Sequence, residues 1–159
     1  MRMSDEKALA RLTESEHGVL STAHPLRGVD AVPVVFAFDD LGRVAIPIDL
    51  VKPKAAGRLR RELNLEADPR AALLVDHWDR DDWSQLWWVR AELHYDATLG
   101  PDSWGDLAAR LAARYPQYFG QPFARLLVLR IVGLTGWAAA SGADPPSVRG
   151  AVTKRLPSA

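Results

Sequence analysis

Residues 17–49 contain three short segments rich in valine, isoleucine and phenylalanine: HGVLSTAH, DAVPVVFAFD and VAIPID. Only brief turn sequences separate them, around residues 25–28 and 40–43. Parallel neighbouring strands need a crossover of about a dozen residues or more, for which these gaps leave no room. The spacing therefore predicts three antiparallel strands and argues against a doubly wound α/β fold.

The rest of the chain adds three strand-like segments and three helical ones. Strands are predicted at residues 71–78, 86–95 and 124–140, the last with a bend at Gly133 or Gly136. Helices are predicted from Ser4, after residue 52, and from Asp102 or Ser103 as far as Pro116. About six strands with helices around them predict a small, mainly β barrel over residues 1–140. Residues 141–159 show no periodicity and are predicted to form a separate tail.

Charge and cysteine content exclude several classes of partner and site. The 159 residues carry 20 Lys and Arg against 20 Asp and Glu, so no global field draws the chain onto nucleic acid or an anionic membrane. The absence of cysteine excludes disulfides, thiolate metal sites and thiol catalysis. No apolar run approaches the roughly 20 residues that span a bilayer, and the start resembles no signal peptide, so we expect a cytoplasmic protein.

One stretch, DLVKPKAAGRLRREL at residues 49–63, concentrates positive charge in an otherwise balanced chain. Two of the four lysines, Lys52 and Lys54, lie here on either side of Pro53. If Pro53 is the first residue of a helix, Lys54, Arg58 and Arg61 fall at i, i+4 and i+7 on one face. This spacing predicts a basic stripe along the helix.

Such a helix start suits a phosphate group. Unpaired backbone N–H groups and the positive end of the helix dipole favour an anion there, and Lys52 and Lys54 would add their charge. A solvated helix face is the alternative explanation of the same cluster. The residues alone leave both interpretations open.

Four of the six tryptophans lie within eleven residues, around the acidic loop that follows residue 78. Large rings can wall a flat heterocycle and exclude water, but they are also common in barrel cores and dimer interfaces. Trp78 and Trp88 are the candidates for a pocket, and Trp87 for the opposite face of its strand. The His and Asp residues of DHWDRDD match no standard metal-site spacing, so no metal site is predicted.

The order of these segments resembles a known family. VPVVFAFD, RVAIPID, the basic turn KPK, AAGRLRRELNLEADP, RAALLVDHW and LWWVRAEL together resemble the pyridoxamine 5'-phosphate oxidase-like split β-barrel proteins that bind FMN or coenzyme F420. The resemblance covers roughly residues 5–139. It implies a six-stranded split β-barrel that forms a homodimer, with two cofactor sites at the interface between subunits.

The resemblance also implies roles for individual residues. Lys54 occupies the position of the family's phosphate-binding lysine, and Lys52 that of a hydroxyl residue near the phosphate. Trp88 falls where the oxidases place a glutamine that reaches the cofactor, and Arg90 lies on the same face of that strand. The edges of two strands are implied to hold the ring system through their backbone. The predicted cofactor contacts are therefore Pro33, Val34, Asp49, Leu50, Val51, Lys52, Lys54, Arg58, Arg61, Trp78, Trp88 and Arg90.

Two departures from the FMN-binding members favour the deazaflavin coenzyme F420. Pro53 stands where those oxidases place an arginine, and the start of the second strand lacks another, so two FMN phosphate contacts are missing. Arg58 and Arg61 would instead extend the positive charge toward the oligoglutamate tail of F420. The resemblance thus implies an F420-dependent oxidoreductase acting on a small organic substrate, with an FMN-dependent oxidoreductase or a non-catalytic cofactor carrier as alternatives.

Overall fold

The computed structural model describes residues 1–49 and 57–139, with Asp49 described by its backbone alone. Of the residues predicted to contact a cofactor, Leu50, Val51, Lys52 and Lys54 lie outside this part of the chain. The described elements are α1 (Asp5–Glu14), β1 (His17–His24), β2 (Gly28–Val35), β3 (Ala37–Phe38), β4 (Arg43–Asp49), α2 (Arg60–Ala67), β5 (Arg70–His77), β6 (Trp87–Tyr95), α3 (Gly105–Arg114) and β7 (Phe123–Ala138).

All strands belong to one antiparallel sheet in the order β2-β1-β5-β6-β7-β4-β3. The predicted mainly β split barrel is confirmed. The described residues form seven strands and not six, because the segment predicted as one strand is interrupted at Phe36. The short β3 then pairs with β4 through a turn in which the Asp39 carboxylate accepts hydrogen bonds from the backbone N–H groups of Leu41 and Arg43.

Side-chain alternation divides the sheet into two faces. On β6, Val89, Ala91 and Leu93 are buried in the barrel interior, whereas Arg90 and Glu92 are exposed on the outside. The long strand β7 changes register near Gly133, where Glu92 pairs with Gly133 but Leu93 pairs with Ile131. This bulge bends β7, which pairs with β4 along its first half and with β6 along its second half. The bulge lies at one of the two predicted bend positions.

The three helices cover different parts of the barrel. The apolar side of α1 meets β7 at one end of the barrel, where Ala8 lies against Gly136. At the other end α2 contacts β1, and the buried Asn64 side chain donates to Thr22 Oγ1 (3.0 Å) and Asp30 Oδ2 (2.8 Å). Leu107 and Leu111 of α3 form a second apolar cluster on the outer side of β3, β4 and the first half of β7.

The remaining outer surface, on β2, β1, β5, β6 and the second half of β7, we call the open sheet face. Lateral pairing aligns Pro33 with Val19, Val19 with Leu74, and Leu74 with Arg90. These side chains are exposed or half-buried, and Leu74 retains 38% of its accessible surface. Among the described residues, no helix is both long enough and apolar enough to cross a membrane.

Candidate functional site

Residues 50–58, which we call the basic segment, connect the end of β4 to the start of α2, at the barrel end that α2 covers. The structure corrects the predicted helix, because residues 57–59 are not helical and α2 begins only at Arg60. Gly57 has φ +128°, a conformation that favours glycine and interrupts any helix running from Pro53 to Arg61. Arg58 and Arg61 therefore do not share a helix face.

The start of α2 is set by Glu62, the third residue of the helix. Its carboxylate accepts a hydrogen bond from the backbone N–H of Leu59 at 2.7 Å, which satisfies a group that the helix itself leaves without a partner. The backbone N–H of Glu62 in turn donates to the carbonyl of Leu59 at 3.0 Å. This local exchange favours a helix that begins after Leu59.

Arg58 folds back over the helix and pairs with Glu66 through both guanidinium NH₂ groups. The two side chains are 47% and 49% exposed. The hydrogen bond from Arg58 lowers the pKa of the Glu66 carboxyl and raises the pKa of Arg58. Arg58 thus already binds a carboxylate, and a carboxylate on a ligand would have to displace Glu66.

Arg61 is half-buried in the first turn of α2. Its side chain is therefore less exposed than it would be on the predicted solvent-facing stripe.

An ion pair between the buried Glu62 carboxylate and the half-exposed Arg125 fixes α2 to the barrel. Arg125 at the start of β7 donates from Nε to Glu62 Oε1 at 2.6 Å and from one NH₂ group to Glu62 Oε2 at 3.2 Å. The Glu62 side chain is 2% exposed and that of Arg125 is 46% exposed. Burial raises the pKa of Glu62, but the hydrogen bonds from Arg125 and the Leu59 N–H outweigh it and lower the pKa below its ordinary value.

This pair also connects the two sides of the basic segment. Arg125 lies directly opposite Ile48 in the β4–β7 ladder, and the register then shifts so that Asp49 lies opposite Phe123. Ile48 and Asp49 lead into the segment, whereas Leu59 and Glu62 follow it. Sequence analysis did not identify Glu62 or Arg125 as important. The available signal was the position of Glu62 three residues after Leu59, where a capping glutamate is expected.

Trp88 and Arg90 lie on the open sheet face, as predicted for alternate residues of one strand. Trp88 is half-buried beside Asp76 and Trp137, and Arg90 approaches Glu92 at 3.6 Å. Pro33 is exposed on the same face. Val34 points inward and is only 7% exposed, so it offers its backbone to the outside.

The other tryptophans of this region differ in environment. Trp78 follows β5 and is 57% exposed. Trp87 lies on the inner face of β6, where the Arg11 guanidinium sits 4.9 Å from the centre of its ring and His77 stacks on it at 6.1 Å. Trp87 therefore has a packing role between α1 and β6, on the face opposite to Trp88.

The structure does not bring the tryptophans and the α2 arginines together within one protomer. Trp88 lies near the start of β6. Tyr95 lies at the other end of this strand, close enough to Arg58 and Glu66 to interact with their charges. Seven residues of extended strand separate Trp88 from Tyr95, about 23 Å at ~3.3 Å per residue. Contacts from both regions to one small ligand thus require more than a single protomer.

A cavity of about 440 Å³ lies elsewhere, between α1, the β3–β4 turn and α3. Its two arginines are engaged: Arg110 pairs with Asp40 and Asp106, and Arg114 donates to backbone carbonyls at the end of α1. None of the predicted cofactor contacts lines it. Over residues 1–49 and 57–139, no group of three or more His, Cys, Asp or Glu side chains could hold a metal ion.

Comparisons with known proteins agree on the fold. No family model matches the chain, and no curated protein matches it. Among solved structures, it is similar to a FAD-binding protein from Mesorhizobium loti, with 18% identity over 86% of this chain and 93% of that one and a TM-score of 0.62. A conserved hypothetical protein from Mycobacterium tuberculosis is 21% identical over 96% and 95% of the two chains, with a TM-score of 0.65. An F420 reductase is 19% identical over 79% and 93%, with a TM-score of 0.55.

Proposed function

We propose that this protein is an oxidoreductase that uses the deazaflavin coenzyme F420 to transfer a hydride to or from a small organic substrate. The observation that carries the proposal is the position of the basic segment, which connects β4 to α2 at one end of a split barrel. Solved structures with this fold include a FAD-binding protein and an F420 reductase. A phosphate-bearing redox cofactor fits both facts.

The residues available suit the parts of such a cofactor. Lys52 and Lys54 would hold the phosphate, and Arg58 would hold a carboxylate of the glutamate tail with the same two-pronged geometry that it now offers to Glu66. Arg61 would assist Arg58. The backbone of Pro33, Val34 and residues 49–51 would hold the ring system. When bound, the cofactor supplies the hydride chemistry, and the protein binds and orients it and excludes water.

We further propose that the functional unit is a homodimer formed through the open sheet face. At ~3.3 Å per residue, Trp88 is about 23 Å and Arg90 about 17 Å along β6 from Tyr95, which lies at the α2 end of their own barrel. A second copy placed against this face would bring Trp88 of one protomer toward the basic segment of the other. The exposed apolar side chains of Val29 and Leu74 favour burial in such an interface.

An FMN-type flavin is the second candidate cofactor, favoured by the FAD-binding structure of similar fold. The two candidate cofactors differ in the protein groups that they need for binding. F420 carries carboxylates beyond its phosphate, for which Arg58 and Arg61 are the proposed partners, whereas FMN ends at its phosphate. Titration of the same preparation with F420 and with FMN, followed by fluorescence, decides between them.

Lys54→Ala tests the phosphate site. We expect its dissociation constant for F420 to rise at least tenfold, equivalent to about 1.4 kcal/mol. Lys7→Ala, which removes a lysine on α1 at the other end of the barrel, is the matched control and should bind as the wild type does. Unchanged affinity in Lys54→Ala would exclude the proposed site. Tight binding without turnover of quinones, enones or other hydride acceptors would indicate a cofactor carrier.

A further inference from the structure

The cavity of about 440 Å³ lies beside an edge of the sheet with which no described strand pairs. This edge belongs to β3, the last strand of the sheet, which ends in a hydrogen bond of 3.0 Å from the Asp39 N–H to the Arg43 carbonyl. Because hydrogen-bonded and non-hydrogen-bonded pairs alternate along an antiparallel ladder, Phe38 and Val44 form a non-hydrogen-bonded pair. The backbone N–H and C=O of Phe38, which lines the cavity, therefore point away from β4.

The end of α3 keeps the space beside this edge open. The β1–β2 ladder begins with His17 opposite Val35, and the chain before His17 leads to α1 and is not paired with β3 in the described sheet. Arg114 spans the space that results, because its guanidinium donates to the Thr13 carbonyl at 2.8 Å and lies 5.8 Å from the centre of the Phe36 ring. The cavity is therefore formed before any ligand binds, as is usual for small-molecule sites.

Arg110 presents a cation to the cavity, and its outer partner is exchangeable. Its Nε donates to Asp106 Oδ2 at 2.7 Å, one turn earlier on α3, which fixes the direction of the side chain. One of its NH₂ groups donates to Asp40 Oδ2 at 2.9 Å. The Asp40 side chain is 89% exposed, and an ion pair this exposed is weak because water screens it. A ligand can therefore separate the two groups.

The second carboxylate of the cavity, on Asp39, is not exchangeable in this way. It accepts hydrogen bonds from the backbone N–H groups of Leu41 and Arg43 and from Arg43 Nε, and Asp39 is only 8% exposed. The groups that a ligand can engage are thus one guanidinium and one carboxylate. A simple anion would satisfy Arg110 and leave Asp40 without its partner, whereas a ligand with both charges pairs with both groups.

We propose that this cavity binds a free α-amino acid with an apolar side chain. The ligand carboxylate pairs with Arg110 and the ligand ammonium group with Asp40, so that both groups of the opened ion pair regain a partner. The N–H and C=O of Phe38 add hydrogen bonds to the same two ligand groups. The half-buried Phe38 side chain and the methyl groups of Ala37 and Ala113 form the apolar wall against which the ligand side chain packs.

Isothermal titration calorimetry on the full-length protein without cofactor tests this site, with L-leucine and L-phenylalanine as probes. We expect saturable binding of at least one of them, with a dissociation constant of roughly 1 mM or lower. The N-acetyl derivative of that amino acid lacks the ammonium charge and the amide derivative lacks the carboxylate, so each should bind at least tenfold more weakly. Succinate, which has two carboxylates and no ammonium group, should show the same loss.

Three variants at the surface of the cavity locate the ligand. Arg110→Met and Asp40→Asn each remove one of the paired charges and should weaken binding at least tenfold. Ala113→Leu retains both charges but fills part of the cavity from an exposed position on α3, and should weaken binding to a similar extent. Arg70→Met is the matched control, because it breaks the ion pair with Asp68 at the start of β5, and it should bind as the wild type does.

The proposal is wrong if neither amino acid shows saturable binding. It is also wrong if Ala113→Leu binds as tightly as the wild type, because the ligand would then lie elsewhere. Tighter binding of succinate than of the amino acids would overturn it as well, because the site would then recognise an anion alone. None of these measurements needs F420 or FMN, and none of the predicted cofactor contacts lines the cavity, so the result is independent of the proposed function.

Discussion

Removal of Arg125 should change how the stability of this protein depends on pH. In the wild type the pKa of Glu62 is lowered, so this carboxylate stabilises the fold above its unfolded pKa of 4.5, and that stability is lost as pH falls through the lower folded pKa. Arg125→Met takes away the main group that lowers the pKa. Burial then dominates and raises it, although Arg58 still contributes an attraction.

The sign of the pH effect is therefore reversed in the variant. A raised folded pKa gives a contribution that is present below pH 4.5 and is lost as pH rises through the folded value. The difference in unfolding free energy between wild type and Arg125→Met must then grow between about pH 5 and pH 8. The other titratable groups that face Glu62, which are Arg58, Glu66 and Tyr95, remain in both proteins.

The magnitude follows from burial. Leaving one charge of a fully buried pair without its partner costs about 3–5 kcal/mol. Arg125 is 46% exposed, so solvent already screens part of the attraction, and we expect about 2–3 kcal/mol at pH 8. At pH 5 a Glu62 carboxyl with a raised pKa can be protonated, which removes the buried unpaired charge. Each unit by which its pKa exceeds the pH reduces the destabilisation by about 1.4 kcal/mol. The expected difference at pH 5 is therefore only about 1 kcal/mol.

Urea unfolding followed by tryptophan fluorescence, without added cofactor, measures both differences. Arg130→Met provides the control, because Arg130 is 60% exposed and Asp96 keeps its two hydrogen bonds from Thr98, so this variant should show a smaller difference at either pH. Glu62→Gln combined with Arg125→Met should remove the pH dependence of the difference, because no carboxylate is left at this position. Equal destabilisation of Arg125→Met at pH 5 and pH 8 would refute the reasoning.

Two other predictions test the interface and the packing of the sheet. Leu74→Arg places a positive charge beside Arg90 on the open sheet face. We expect light scattering to show a dimer for the wild type and a monomer for this variant, and a dimer in both would exclude this face as the interface. Gly18→Ala should lower stability by roughly 1–3 kcal/mol, because its Cβ would lie 2.6 Å from the Leu74 carbonyl oxygen. Gly105→Ala has open space at the start of α3 and should raise stability by about 0.4–1 kcal/mol. Thermal or urea unfolding that shows the same change in both glycine variants would contradict the packing argument.

Much of the fold could be predicted from short-range patterns. Alternation along β6 correctly assigned Trp88 and Arg90 to one face and Trp87 to the other, because the side-chain period of a strand is fixed at two residues. The short gaps correctly predicted the antiparallel pairing of β1 with β2 and of β3 with β4. The interruption at Phe36, which gives seven strands, has no comparable local signal.

Alternation cannot say which end of a barrel a residue occupies. Trp88 and the α2 arginines were grouped as one site because both suit a cofactor, yet strand pairing places them near opposite ends of β6. That separation depends on which strands pair and in which register, and these are set by contacts between distant residues. The dimer through the open sheet face is the proposal that accounts for both sets of residues.

The start of α2 shows how local and distant signals compete. Pro53 and the alanines after it favour an early helix start, but Gly57 lies within that helix and would cost about 1 kcal/mol relative to alanine there. A charge-assisted bond to Arg125, which is 63 residues away, together with the Glu62 cap on Leu59, stabilises the later start at Arg60. Each such bond contributes about 1.5–3 kcal/mol, enough to outweigh the few tenths per residue that propensity supplies. The conflict falls in the segment that we propose binds the cofactor, which is where local preference is expected to yield to function.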